Sequence, residues 1–269
     1  MGNKAIKEKR AFTGSFFLYN RGELEERAFS YNSRKEENDE ARAWQSLLKY
    51  NILGGKTMMF QKKDMDTWDR AEIFRHFIDE LRCVMSMTVE LDVTDFVKAI
   101  GKRGCSFYPA MLWVVSAAVN QREELRMGYN AQGEVGVWEA VSPYYAHFHK
   151  EDERFVKLVT VYSPCFETFY RRFCEDKRRF AAYRGFEQTE IPPNTFDVSC
   201  LPWTHYRSFD MHVFDAGTYL APVVTWGRYL EKQGRLMLPL SLNLHHAAGD
   251  GYHLCRFFSD VETWMQALR

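Results

Sequence analysis

Two adjacent histidines near the C-terminus are the residues of this 269-residue chain whose type and spacing most favour chemistry. His246, the second of the pair His245-His246, is followed four residues later by Asp250, in the segment HHAAGDG. An imidazole can remove a proton near neutral pH, so such a histidine can act as a general base. The side chains of the histidine pair, Asp250 and His253 could also bind a metal ion. No familiar zinc spacing such as H-E-x-x-H is present, however. In a third interpretation the histidines are only satisfied core or turn residues.

The elements around the pair are predicted to be a strand that leads into a helix. Leucine occupies every even position from Leu236 to Leu244, which predicts a strand with one buried face. After Gly251, apolar residues recur three or four apart, which predicts a helix that begins near Asp250. The histidines then lie on a strand-to-helix turn. Gly249 and Gly251 flank the aspartate and predict backbone angles that a side chain would forbid.

The chain from Thr67 onward is predicted to alternate between helices and strands. The spacing of apolar residues predicts helices at 67–82, 93–100, 109–120 and 167–183, of which the third is nearly apolar and buried. Strands are predicted at 85–91, 134–138, 144–149, 195–201, 208–213 and 222–229. This pattern predicts an α/β domain with a large mixed sheet and helices on it.

Residues 1–66 differ from the rest, and we expect them to form an N-terminal extension of unknown role that precedes a catalytic domain at 67–269. The extension contains segments dense in charges of both signs, such as 34–42, beside apolar groups. The pair Gly54-Gly55 predicts a turn or linker. The extension is either a solvated or loosely docked segment without chemistry, or an interaction segment.

Composition and cysteine usage restrict the class of protein. The chain has 36 basic and 36 acidic residues, so its formal net charge gives no indication of a nucleic-acid partner. Its 6 cysteines form no C-x-x-C pair, which favours free thiols in a reducing compartment, and we expect the protein in the cytoplasm. No apolar run approaches the roughly 18 residues of a bilayer span, so no membrane partner is expected. Residues 1–10 are too polar for a signal peptide.

Taken together, these segments resemble the chloramphenicol acetyltransferase family. The H-H-x-x-x-D-G motif at 245–251 is similar to that of the family, and other segments between 68 and 269 agree with it in order. Dihydrolipoyl acyltransferase cores share the histidine motif, but FYP, ELRM and LPW segments favour the antibiotic-modifying branch. The matching segments include Arg70 with Glu72, Phe107-Tyr-Pro109, Glu124-Leu-Arg-Met127, Leu201-Pro-Trp203, Ser208-Phe209 and Gly227-Arg-Tyr229.

The resemblance implies a fold, an assembly and a reaction. The fold is a two-layer sandwich with a large mixed β-sheet, of the coenzyme A-dependent acyltransferase type. The assembly is a homotrimer in which each active site lies at the interface between neighbouring subunits. The reaction transfers an acetyl group from acetyl-CoA, the co-substrate, to a hydroxyl of chloramphenicol without a metal.

The resemblance also implies catalytic roles. His246 matches the general base, Ser208 matches the donor to the developing oxyanion, and Thr225 matches a threonine that supports the intermediate through an ordered water. Asp250 matches an aspartate that is structural rather than the third member of a triad, and Arg70 matches its partner. We expect a buried ion pair between these two side chains.

The resemblance also implies substrate-binding residues, but here this sequence agrees less well with the family pattern. Tyr108 and Tyr229 match tyrosines that contact coenzyme A, although either could be a core residue. The acceptor pocket is implied to contain Phe77, Met85, Tyr144 and Phe155.

The acceptor pocket departs from the family pattern at several positions. His76 and Met85 stand where aromatic residues are found, and Tyr144 replaces a glutamine. Gly249 replaces a cysteine, and we expect this replacement to have no effect on catalysis. His205, close to Ser208, is either a polar contact of the pocket or a surface histidine.

These departures leave other functions open. The enzyme could acetylate another hydroxylated small molecule, and a metal hydrolase is a further alternative. The chain could also be a non-catalytic trimeric scaffold that binds a ligand, but the presence of His246, Ser208 and Thr225 argues against decay of the site.

Overall fold

A computed structural model describes residues 60–213 and 218–268. The turn predicted at Gly54-Gly55 and all of residues 1–59 lie outside the described part of the chain. Residues 60–66, which we expected to belong to the extension, include the first strand, β1 (Phe60–Lys62). This strand pairs antiparallel with a strand at Val135–Trp138. The boundary between extension and domain stays a prediction.

A mixed sheet of seven strands forms the centre of the described structure. Its strands are β2 (Val84–Asp92), β5 (Ser142–His149), β6 (Arg154–Val159), β7 (Thr195–Leu201), β8 (Val223–Gly227), β9 (Leu230–Lys232) and β10 (Arg235–His245). β10 lies between β2 and β8, and the order continues through β7 and β5 to β6, while β9 pairs with the start of β10. β7 runs parallel to β5 and to β8, and the remaining pairs are antiparallel. A smaller sheet joins β1, β4 (Val135–Trp138) and β3 (Met127–Tyr129).

Helices cover this sheet and complete an α/β fold. The α-helices are α1 (Ala71–Arg75), α2 (Thr94–Lys102), α3 (Phe107–Asn120), α4 (Phe166–Arg179) and α5 (Gly251–Ala267). The long helices α3 and α4 contact each other, and α5 packs on α3 and β2. Every residue from Pro109 to Val119 in α3 is buried, as its nearly apolar sequence predicts. In the two described ranges, no helix has both the length and the apolar character that crossing a bilayer requires.

The strand before the histidines is buried on both faces, so the prediction of a single buried face is wrong. Leucines at even positions, such as Leu240 and Leu242, belong to the hydrophobic core. The intervening side chains of Ser241, Asn243 and His245 are also buried. At Ser241 this second face contacts the segment that follows β7, because the hydroxyl of Tyr206 lies 3.2 Å from Ser241 Oγ.

Two other predicted elements differ from the structure. Residues 208–213 form no strand, and the apolar side chains of Met211 and Val213 that suggested one are exposed. The helix predicted at 67–82 consists of α1 and a π-helical turn at His76–Glu80. Among its apolar residues, Phe77 and Ile78 pack against the core, whereas Ile73 and Leu81 are exposed.

Candidate active site

The turn after β10 holds His246 in a defined orientation. β10 ends at His245 and α5 begins at Gly251, which confirms the predicted strand-to-helix turn. The His246 ring stacks on Phe77, with ring centroids 3.8 Å apart and ring planes 9° apart. Its backbone N–H donates to the carbonyl of Cys83 at 2.8 Å. Nδ1 of the half-buried His246 is fully buried and has no hydrogen-bond partner among the described residues.

Asp250 initiates α5. Its Oδ1 accepts a hydrogen bond from the backbone N–H of Tyr252 at 3.0 Å, and its own N–H donates to Nδ1 of His253 at 3.1 Å. This reciprocal capping box satisfies backbone groups that the first helical turn leaves without partners. Burial raises the pKa of Asp250, but His253, Arg70 and the Tyr252 amide together lower it below its usual value. Asp250 is therefore a carboxylate at neutral pH.

Arg70 contacts the same carboxylate. Its Nη1 donates to Oδ2 of Asp250 at 3.2 Å, so the expected contact is present. The pair is not buried as we expected, because 22% of the Arg70 side chain and 39% of the Asp250 side chain are exposed. Solvent around the pair reduces the interaction expected for a buried one. Its role in supporting the site stays a prediction.

The glycines of the turn do not have the unusual backbone angles that we predicted. Among the described glycines, positive φ angles occur at Gly104, Gly133 and Gly234, so the angles predicted for Gly249 and Gly251 are wrong. A Cβ atom at Gly249 would lie 2.9 Å from Cδ2 of Leu244. That atom ends a flexible side chain, which agrees with our expectation that a side chain here is tolerated.

Thr225 lies on β8 within a row of hydroxyl-bearing side chains. Strand register aligns it with Ser241 on one side and Ser199 on the other. Thr225 is fully buried, and its Oγ1 has no hydrogen-bond partner among the described residues. The Tyr206 hydroxyl donates to the Thr225 carbonyl at 2.7 Å, which holds the segment after β7 against this row.

Ser208 and His246 do not meet within one chain. Ser208 is exposed in the irregular segment after β7, and no hydrogen bond among the described residues joins it to His246. Tyr206, two residues earlier, contacts Ser241. Because a strand rises about 3.3 Å per residue, Ser241 lies roughly 16 Å from His246 along β10. The described part of the chain therefore shows no contact between Ser208 and His246.

The residues predicted to line the acceptor pocket also divide into two groups. Phe77 stacks on His246, and Met85 on β2 pairs in register with Leu244. Tyr144 lies on β5 and Phe155 on β6, near the opposite edge of the sheet. Since neighbouring strands are about 4.8 Å apart, the two edge strands are separated by roughly 24 Å.

Tyr144 is part of a charged network. Its hydroxyl donates to Oε2 of Glu187 at 2.6 Å, and the Lys157 ammonium lies 4.0 Å from the centroid of its ring. Lys157 also donates to Oδ1 of Asp197 at 2.9 Å, and the hydroxyl of Tyr219 donates to the other oxygen of that carboxylate. Burial, together with the bond to Glu187, raises the pKa of Tyr144. The phenol is therefore neutral and acts as a donor.

The two tyrosines predicted to contact coenzyme A are partly buried in aromatic clusters. Tyr108 packs against Trp226, with ring centroids 5.5 Å apart, and also against Tyr145 and Phe173. The ring of Tyr229 lies 5.1 Å from that of Phe107, and burial raises the pKa of Tyr229. Only their remaining exposed edges are available to a ligand.

A cavity of about 450 Å³ lies beside the end of β10. It borders His245 rather than His246, and its lining includes Cys83, Asn243 and Tyr219. This volume falls within the range of small-molecule sites. In the part of the chain that the structure describes, no three side chains of metal-ligand type are grouped to hold an ion.

Comparison with known proteins shows the family of this chain. The family model described as chloramphenicol acetyltransferase matches residues 58–262. The chain belongs to the chloramphenicol acetyltransferase family. This result confirms the resemblance drawn from the histidine motif and its accompanying segments.

Relatives in this family cover most of the chain. A chloramphenicol acetyltransferase of Clostridium perfringens is 34% identical over 216 residues, which are 77% of this chain and 99% of the relative. One of Streptomyces acrimycini is 40% identical over 204 residues, which are 74% of this chain and 91% of the relative. A solved structure named chloramphenicol acetyltransferase aligns with a TM-score of 0.65 at 23% identity, covering 77% of this chain and 100% of that one. This structural likeness indicates that the chain and that solved structure share one fold.

Sequence reasoning missed several residues around this family site. The hydroxyl of Tyr206 bonds the segment that carries Ser208 to Thr225 of β8. The position of Tyr206 two residues before Ser208 was the signal in the sequence that could have identified it. Lys157 is two residues after Phe155, so strand periodicity could have placed both on one face had β6 been predicted. Glu90 contacts His205 from 115 residues away in sequence, a separation for which the chain carries no local signal.

Proposed function

We propose that the protein transfers an acetyl group from acetyl-CoA to a hydroxyl of chloramphenicol. The observation that carries this proposal is the clamped ring of His246, in a chain whose relatives are chloramphenicol acetyltransferases. Stacking on Phe77 and the backbone bond to Cys83 limit the orientations of the ring. A general base needs such positioning because proton transfer depends on hydrogen-bond reach to the substrate.

The reaction follows from the chemistry of a thioester and an alcohol. His246 removes the proton of the acceptor hydroxyl as its oxygen attacks the thioester carbonyl carbon. A tetrahedral intermediate forms, and its collapse breaks the carbon–sulfur bond. The departing thiolate then takes the proton from the imidazolium, so the base is regenerated. Because both substrates are held together, no acyl-enzyme is needed.

Ser208 and Thr225 are proposed to stabilise the intermediate. A hydroxyl donor at the developing oxyanion contributes a few kcal/mol in general, and the exposed Ser208 is available to a neighbouring copy. The buried Oγ1 of Thr225 without a protein partner favours a role through water, because buried hydroxyls normally have a hydrogen-bond partner. Tyr108 and Tyr229 are proposed to contact coenzyme A through their exposed edges.

We propose that the active site is shared between protomers of a homotrimer. His246, Phe77 and Met85 at one edge of the sheet would face Tyr144 and Phe155 of the next copy. Contacts between two different surfaces form a closed ring when the rotation between copies closes. The separation of the two groups within one chain supports this arrangement. None of the six cysteines, all of which are described, forms a disulfide, which favours the cytoplasm as its location.

A second candidate is acetylation of another hydroxylated small molecule. The observation that favours it is the network around Tyr144, which brings the Lys157 ammonium and two carboxylates to the acceptor side. Charged and phenolic groups suit a polar acceptor better than the flat apolar ring of chloramphenicol.

The test is release of free coenzyme A thiol from acetyl-CoA with and without chloramphenicol. We expect turnover that requires chloramphenicol and falls about 10²- to 10⁴-fold in a folded His246→Ala variant. Turnover only with other alcohols would support the second candidate. Activity that is unchanged in His246→Ala would contradict the assignment of the base, and chelator-sensitive hydrolysis would favour a metal enzyme.

A further inference from the structure

The network around Tyr144 continues to the outer edge of the seven-stranded sheet. Residues 186–188, here called the edge segment, run along β6, because two backbone hydrogen bonds of 2.8 and 3.0 Å join Lys157 to the residues on either side of Glu187. Lys157 and Glu187 are therefore parallel partners. Side chains of such partners lie on the same face of a sheet. The hydroxyl of Tyr144, which donates to Glu187, reaches across this face.

The ammonium of Lys157 has its interactions within the chain. It donates to Oδ1 of Asp197 at 2.9 Å and to the carbonyl of Tyr144 at 3.4 Å, and it lies 4.0 Å from the centroid of the Tyr144 ring. The other oxygen of the Asp197 carboxylate accepts from the hydroxyl of Tyr219. An anionic ligand would therefore have to displace Asp197 to reach this ammonium.

Glu187 is the charged member of the network that is open to a ligand. It is exposed, and among the described residues only its Oε2 accepts a hydrogen bond, from Tyr144. Lys157, Asp197 and Glu187 together carry one negative charge, since the first two neutralise each other. The remaining charge is thus that of the Glu187 carboxylate.

Exposed aromatic rings lie beside this carboxylate. Phe155, two residues before Lys157 on the same face of β6, is 48% exposed, and its ring centroid lies 6.1 Å from that of Phe186 in the edge segment. Aromatic rings attract organic cations through their quadrupoles, and a carboxylate adds charge-assisted hydrogen bonds or Coulomb attraction. This combination favours an ammonium group attached to an organic molecule.

We propose that Glu187 and the rings beside it form a cation-binding end of the acceptor site, so that the protein also acetylates hydroxylated molecules that carry an ammonium group. This inference rests on the proposed acetyl transfer and on the proposed place of Tyr144 and Phe155 in the acceptor pocket. The reaction is unchanged: the hydroxyl loses its proton, the acetyl group passes from sulfur to oxygen, and coenzyme A leaves as the thiol. The ammonium group is bound and takes no part in the transfer.

Acceptors that differ only in charge test this substrate class. In one chloramphenicol analogue a trimethylammonium group replaces the nitro group, and in its partner a tert-butyl group of the same shape does so. A second pair carries the same two groups in place of the dichloroacetamide, so that either end of the acceptor can reach Glu187. A quaternary nitrogen cannot be acetylated, so the release of coenzyme A thiol reports transfer to oxygen.

We expect kcat/KM to be about three- to tenfold higher for the cation than for its tert-butyl partner in at least one pair, mainly through KM. Glu187→Gln keeps an oxygen that can accept from the Tyr144 hydroxyl but removes the charge, so this preference should fall to about one. Glu190→Gln is the matched control, because it removes an exposed carboxylate three residues further along the chain. It should keep the preference. A ratio near one in both pairs with the wild-type protein, or a preference that Glu187→Gln leaves unaltered, would overturn the proposal.

Binding without turnover distinguishes failure of this inference from failure of the proposed function. Calorimetric titration with the same analogues, in the absence of acetyl-CoA, should show tighter binding of the cation in wild type and a loss of that difference in Glu187→Gln. Acetylation of chloramphenicol without any preference for the cations would refute the cation-binding end alone. Tighter binding of the cations without acetyl transfer to any acceptor would refute the proposed function alone.

Discussion

Asp250 combines two tasks that single substitutions can separate. As the N-cap of α5 it accepts from a backbone N–H, and as an anion it receives Nη1 of Arg70. Among the described contacts it makes none with His246, so the geometry differs from a triad in which an aspartate orients the base. Asparagine caps helices as well as aspartate does but carries no charge. Asp250→Asn therefore removes the ion pair and keeps the cap.

We expect the Arg70–Asp250 pair to couple by about 1 kcal/mol, because both side chains are partly exposed. Asp250→Asn should lower activity several-fold by loosening the turn that carries His246, and adding Arg70→Met should cost little more. The measurement is urea unfolding and kcat for the four members of this double-mutant cycle. Strictly additive effects would contradict an energetic coupling between Arg70 and Asp250.

At the scale of elements, β8 and the segment after β7 approach too closely for a side chain at Gly227. A Cβ atom there would lie 2.8 Å from the Thr204 carbonyl oxygen and 3.0 Å from Cδ1 of Tyr206. The first of these is a backbone atom, so the whole segment must shift to relieve the contact. That segment carries His205 and leads to Ser208.

Gly227→Ala should therefore reduce activity by more than its loss of stability explains. We expect a cost of about 1 to 3 kcal/mol in unfolding free energy from overpacking, and a fall in kcat of at least tenfold. Gly101→Ala is the control, since a Cβ atom at this helical position meets nothing within 4 Å. It should stabilise the protein by roughly 0.5 to 1 kcal/mol and leave kcat unchanged. Equal kcat in the two variants would contradict the proposed link between Gly227 and the Ser208 segment.

Elements with a regular apolar period could be predicted from sequence, and irregular ones could not. The leucine alternation of β10 and the spacing in α5 locate the histidine turn, because burial of a regular element imposes its period on the sequence. Residues 208–213 alternate in the same way but form no strand, since neither Met211 nor Val213 is buried. β6 was missed although Phe155 lies on it. The partners of His205 depend on strand order, which local patterns do not encode.

At the scale of the whole molecule, the residues that we propose for the site lie toward opposite edges of the seven-stranded sheet. His246 with Phe77 lies at the β2–β10 end, whereas Tyr144 and Phe155 lie on β5 and β6. Ser208 contacts neither group through a hydrogen bond among the described residues. The central claim is that association of copies brings His246 of one protomer to Ser208 of the next.

Mixed oligomers of two inactive chains test this claim most directly. His246→Ala and Ser208→Ala chains, carrying different affinity tags, are assembled together in equal amounts and purified through both tags. If the site is shared, the mixture before selection by tag should recover about one quarter of the wild-type rate. Half of its sites receive an intact His246, and half of these also receive an intact Ser208. Oligomers selected for both tags should exceed that fraction. Mixed oligomers no more active than the two parents would contradict a shared site and the account built on it.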